Sequence, residues 1–184
     1  MPIRVVVVPH DPCWRERYRS ESALVAQALA PPFRKAHHIG STAIAAIHAK
    51  PIVDMLVEVA DVDAVDERNP AMAAIGYEAM GEFGIAGRRY FRKDDDRGVR
   101  RFHVHAFAAG SPEIDRHLAF RDYLIAHPGP AAEYSDLKRK LAAAHPDDID
   151  AYMDGKDAFI KRIEALALGW HAQGGRLRRP IRAC

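Results

Sequence analysis

Residues 38–58 read HIGSTAIAAIHAKPIVDMLVE. From Ile52 the chain continues to Val59 as an apolar, β-branched run, which predicts a buried strand carrying two carboxylates, Asp54 and Glu58. Upstream, Phe33 to Ile39 predicts a second strand, and Gly40-Ser41-Thr42 ends it and opens a short helical turn through Ile47. Lys50-Pro51 closes that turn, because a residue before proline is pushed out of the α region. A strand that gives way to Gly-Ser at the mouth of a turn exposes backbone N–H groups and hydroxyls, a geometry suited to phosphate. A carboxylate early in a buried strand is costly unless it is paired, hydrogen-bonded or bound to a cation. Gly40, Ser41 and Thr42 are therefore candidate phosphate ligands and Asp54 a candidate cation ligand. Lys50 either neutralises a phosphate or pairs with Asp54, and the plainer role of Ser41 and Thr42 is to cap the turn.

Outward from this segment, Ile3 to Val8 reads as extended, and Asp11-Pro12 starts a helix to about Leu29 that Pro31-Pro32 stops. After Val59 a helix is expected from about Val62 to Ile75. Two strands, Arg88 to Lys93 and Val99 to Ala108, are joined by hairpin-like Asp94-Asp95-Asp96-Arg97-Gly98. The last third predicts three helices, separated at Pro128-Gly129-Pro130 and at His145-Pro146-Asp147-Asp148. The expected fold is α/β (α+β): a small mixed sheet with flanking helices and a helical C-terminal third. Residues 1–173 are expected to form one domain and 174–184 a flexible basic tail with Arg176, Arg178, Arg179 and Arg182.

At 184 residues, 48% hydrophobic and 28% charged, the chain has the balance of a folded domain. Lys and Arg total 27 against 25 for Asp and Glu, so the body's charge predicts neither nucleic acid nor an anionic membrane as partner. The four valines Val5 to Val8 are too short a run for an export signal or a bilayer span. Cys13 and Cys184 lie far apart without metal-ligand spacing, which fits a reducing cytoplasm.

His103 and His105 flank Val104, so both imidazoles share one strand face and can converge on one metal or anion. If that strand lies beside the one carrying Asp54, a mixed site of Asp54, His103 and His105 results. The plainer reading is two histidines hydrogen-bonded under a helical layer. Arg88 and Arg89 open the preceding strand, so one of them faces the histidines, and Arg89 is taken as the ligand. Arg121 is a further candidate anion ligand, with an ion pair to Asp122 or Asp115 as the simpler alternative. Lys138 and Lys156 carry the same ambiguity, and Trp14, Tyr18, Tyr134, Phe159 and Trp170 read as core.

Gly-Ser followed about a dozen residues later by a strand acid resembles the nucleotidyltransferase fold, whose members usually carry two acids one residue apart. Here Leu56 occupies the second position, and the next acid on that face is Glu58. The motifs DPCWRERYRSE, HIGSTAIAAIHAKPIVDMLV, HVHAF, FRDYLIAHP, EYSDLK and YMDGKDAFI, in this order, resemble the GrpB family, also seen fused behind dephospho-CoA kinase. That family more often has Val-Pro-Gly-Leu where this chain has Ile44-Ala45-Ala46-Ile47. The resemblance implies a nucleotidyltransferase-like domain that binds a nucleotide or phosphate ligand. On that reading Mg²⁺-dependent nucleotidyl transfer uses Asp54, Glu58 and His105. A second reading makes Asp54, His103 and His105 a centre for Zn²⁺ or another transition metal acting on a small molecule. A third is an accessory or interaction domain that has lost its second acid.

Overall fold

The computed structural model describes residues 4–175. Of the basic tail expected over 174–184, residues 176–184, with all four arginines, lie outside them. Five strands form one mixed sheet: β1 (Phe33–Ile39), β2 (Val53–Val59), β3 (Glu78–Ala79), β4 (Arg89–Asp94) and β5 (Arg100–Ala108), in the order β1-β2-β5-β4-β3. β2 and β5 run parallel, and the other pairs are antiparallel. Helices are α1 (Cys13–Ala28), α2 (Asp63–Asp66), α3 (Asn69–Ala74), α4 (Pro112–Ala126), α5 (Pro128–Ala144) and α6 (Ile149–Ala172).

The alternation of side chains along each strand divides the molecule into two layers. Val53, Met55, Val57 and Val59 of β2, with Val104 and Ala106 of β5 and Phe91 of β4, pack with Trp14, Val25 and Leu29 from the α1 region and Val65 and Met72 from α2 and α3. On the other face, Ile39, Leu56 and Phe107 meet Ile114 of α4. Beyond this patch the sheet is met by the bundle of α4, α5 and α6, into which Ile44 and Ile47 from the loop between β1 and β2 insert. Between the bundle and the polar end of the sheet lies a cleft. Ser111 caps α4 by accepting from the Glu113 N–H, and Asp148 caps α6 by accepting from the Ala151 N–H, as their places before each helix require.

Some local expectations are corrected. Among the described residues, the N-terminal extended segment contributes only a bridge between Val8 and Ala49, not a sheet strand. The helix expected over 62–75 is two, α2 and α3, with Pro70 in the first turn of α3 where its missing N–H is harmless. The turn after Gly40 is a single 3₁₀ turn, Ser41–Ala43, because Ile44 turns extended to reach the bundle.

Gly40 sits at φ 69°, and a Cβ added there would lie 2.5 Å from Oδ2 of Asp54. Both the left-handed backbone and the close approach demand glycine. Gly40→Ala is expected to cost about 2 kcal/mol or more of unfolding free energy, measurable by denaturant titration.

Candidate functional site

Registry places Asp54 of β2 opposite His103 of β5 and Leu56 opposite His105, while His105 also faces Tyr90 of β4. Because β2 and β5 are adjacent and in phase, the three polar side chains project from one face. Oδ1 of Asp54 lies 3.0 Å from Nδ1 of His103 and 3.6 Å from Nε2 of His105. One ligating atom from each of these residues lies within 4.8 Å of the others, close enough for one cation. Burial pushes the Asp54 carboxyl up, but hydrogen bonds and positive charge from the two imidazoles outweigh it and hold the group well below the usual carboxylate range. Burial holds His105 below its ordinary value, against the hydrogen bond and charge of Asp54, which raise it.

Opposite this triad stand basic residues from the helical bundle and the loops. The cleft encloses about 420 Å³ and is lined by Ser41, Lys50, Asp54, Arg88, Lys138 and Lys156 among others. Lys138 and Lys156 are only 2% and 7% exposed. Nζ of Lys138 donates to Oγ of Ser41 at 2.8 Å and to the His48 carbonyl, and lies 4.4 Å from the Tyr134 ring centroid. Nζ of Lys156 meets the Met153 sulfur at 3.2 Å and lies 4.5 Å from the Tyr152 ring centroid. Neither lysine has a carboxylate partner among the described residues, and neither does Lys50. Burial, with the charge of Lys156, lowers Lys138 to about 7; burial, with the charge of Lys50, lowers Lys156 to about 8.

The two lysines come from matching pieces of sequence. Tyr134-Ser135-Asp136-Leu137-Lys138 in α5 and Tyr152-Met153-Asp154-Gly155-Lys156 in α6 share the pattern Tyr-x-Asp-x-Lys. The four-residue spacing places tyrosine and lysine on the buried face of each helix, and both aspartates are exposed. Gly155 permits the helices to close together, since a Cβ there would overlap the Leu141 side chain. Sequence reading left both lysines ambiguous and treated Tyr134 only as core. The usable signal was a lysine placed four residues after a buried tyrosine, twice.

Of the residues expected at a site, Gly40, Ser41, Thr42, Lys50, Asp54, His103 and His105 do line one cleft. Three do not. Glu58 lies two pleats along β2, about 13 Å from Asp54, and its carboxylate accepts from His37 at 2.6 Å. Arg89 points to the opposite face, where it pairs with Asp66 at 2.7 Å and Asp63 at 3.1 Å. Arg88 takes the place expected of it: Tyr90 faces the cleft, so the residue two before it does too. Arg121 pairs with Asp122 and donates to the His38 carbonyl at 2.9 Å at the end of β1. His38 stacks on Tyr18 and bonds Thr42, and burial lowers it to about 4.

The family model described as GrpB protein matches residues 4–166. A relative from Bacillus subtilis, UPF0157 protein YqkA, is 46% identical over 167 residues, covering 91% of this chain but 48% of its own length. This chain thus spans about half of that relative. The crystal structure of conserved protein GrpB from Enterococcus faecalis is similar at a TM-score of 0.86 and 46% identity, over 91% of this chain and 99% of that one. The Cid1 poly(U) polymerase aligns with 72% of this chain and 45% of its own, at 12% identity and a TM-score of 0.45, which says nothing of activity here. No helix among the described residues is long and apolar enough to cross a membrane.

Proposed function

We propose that this chain, which belongs to the GrpB family, binds a phosphate-bearing small molecule in the cleft between the sheet and the helical bundle. The observation that carries the reading is the pair of buried lysines without carboxylate partners, Lys138 and Lys156. Burying an unpaired ammonium costs several kcal/mol, and setting two near each other and near Lys50 adds repulsion. A polyanion seated among Lys50, Lys138, Lys156 and Arg88 offsets both costs. Ser41, already bonded to Lys138, adds a hydroxyl at the same place.

Asp54, His103 and His105 would hold a divalent cation on the sheet side of that ligand. The mixed nitrogen and oxygen donors fit Zn²⁺ or another transition ion better than Mg²⁺, which prefers oxygens. Such an ion, when bound, neutralises phosphate charge and polarises its oxygens. Among the described residues Asp54 is the only carboxylate lining the cleft, so chemistry that requires two clustered acids finds no second acid among them. Ligand binding supported by at most one cation is the function this arrangement favours, and nucleotidyl transfer would be confined to that single ion.

A thermal-shift series with phosphate, pyrophosphate, tripolyphosphate and ATP, GTP, CTP and UTP, each with EDTA, Mg²⁺, Mn²⁺ or Zn²⁺, tests the reading. Saturating polyphosphate is expected to raise Tm by about 5–10 °C; an unchanged Tm with every compound would sink it.

The lysines also set a pH dependence. Their ammonium forms attract the anion and are lost as pH rises through about 7 for Lys138 and about 8 for Lys156. Tripolyphosphate affinity is expected to fall at least about tenfold from pH 7 to pH 9, with proton uptake on binding at pH 8, read by calorimetry in buffers of different ionisation enthalpy. The same groups act on stability with the opposite sign. Between their lowered values and about 10.5 the unfolded chain binds more protons, so their contribution to stability without ligand rises with pH.

A further inference from the structure

At the mouth of the cleft the chain holds an aromatic ring out to solvent. Phe83 is 59% exposed, lines the cleft and has φ 45°, the only non-glycine residue with positive φ among those described. For a phenylalanine that backbone is strained, so the surroundings must hold it. They do: Arg88 donates from Nη2 to the Phe83 carbonyl at 2.6 Å and from Nε to the Glu82 carbonyl at 3.1 Å. The Gly87 N–H donates to the Glu82 carboxylate at 2.6 Å, and Ile85 packs against the apolar patch around Leu56 and Phe107. One face of the Phe83 ring stacks on Tyr90, 5.3 Å between centroids, and Tyr90 in turn lies 5.1 Å from His105. On the helical side of the same cleft Met153 is 47% exposed, one turn before Lys156.

Loop residues that merely close a turn do not need a strained, braced phenylalanine with its outer face open. We propose that Phe83 is a stacking platform for the aromatic base of a nucleotide, with Met153 across from it and the phosphates among Lys50, Lys138 and Lys156. The inference rests on the phosphate reading and narrows it from phosphate-bearing molecules in general to nucleotides. An aromatic face over a cationic groove accepts any base, because every base offers a π face, so discrimination among the four is expected to be weak.

The test is calorimetric titration of the full chain with tripolyphosphate and, separately, with ATP and UTP, in wild type, Phe83→Ala and Phe83→Leu. Nucleotides are expected to bind about tenfold or more tighter than tripolyphosphate. Both substitutions are expected to erase that advantage while leaving tripolyphosphate affinity unchanged. Phe83→Leu keeps apolar area without a ring, so full affinity in that variant overturns stacking. Equal affinity of tripolyphosphate and nucleotides in wild type overturns the platform and leaves the phosphate site standing. Absence of binding by all three removes the phosphate reading, and the platform with it.

Discussion

Lys156→Met is expected to raise the melting temperature while weakening tripolyphosphate binding about thirtyfold or more. Among the described residues its Nζ meets only the Met153 sulfur and the face of Tyr152, so methionine removes a desolvated charge and strands no polar partner there. Replacing a buried charge by an apolar side chain of similar size stabilises by about 1 kcal/mol or more, which in a chain of this size is about 2–4 °C. The affinity lost is that of a charge-assisted hydrogen bond to phosphate. Lys138→Met provides the contrast. It also loses the ligand, but it strips a donor from Ser41 and from the His48 carbonyl and so gains no stability. Thermal melts and calorimetry of both variants read the two effects. A Lys156→Met protein that melts lower than wild type and binds tripolyphosphate equally well would make the lysine a structural element of the bundle.

Asp54→Asn is expected to separate the two halves of the site. It keeps the size of the side chain beside Gly40 and an oxygen that can accept from His103, yet removes the charge that would attract a cation. Zn²⁺ and Mn²⁺ affinity should fall about a hundredfold, since a carboxylate is one of only three ligands. In EDTA, tripolyphosphate should bind the variant as well as wild type or more tightly, because the one carboxylate among the described residues of the cleft is gone. Loss of tripolyphosphate binding without metal would instead assign Asp54 to organising the cleft.

Much of this site was legible because it depends on short-range geometry. The alternation of His103, Val104 and His105 fixes two imidazoles on one face whatever lies beside them, and Gly-Ser after a strand opens a polar turn. The pairing of β2 with β5 joins residues about fifty positions apart, and local pattern supplies only its possibility. Phase explains the error at Arg89. Without knowing that Tyr90 faces the cleft, nothing in Arg88-Arg89 says which arginine turns inward. Glu58 failed on distance, being on the right face of β2 but two pleats too far. Lys138 and Lys156 stayed ambiguous between an anion ligand and a helix-surface ion pair, because lysine on a helix usually marks the solvated side. Here the tyrosines one turn before them, buried in the same bundle as Ile44 and Ile47, reverse that reading. The helix expected over 62–75 is broken at Glu67-Arg68, just before Pro70, which starts the second piece.

A crystal structure of the chain grown with saturating tripolyphosphate in EDTA decides whether the buried lysines form a polyanion site. Phosphate density is expected within hydrogen-bonding distance of Nζ of Lys138, Nζ of Lys156 and Oγ of Ser41, on the bundle side of Asp54. Phosphates bound only elsewhere on the surface, with the lysines turned to other protein groups, would contradict it.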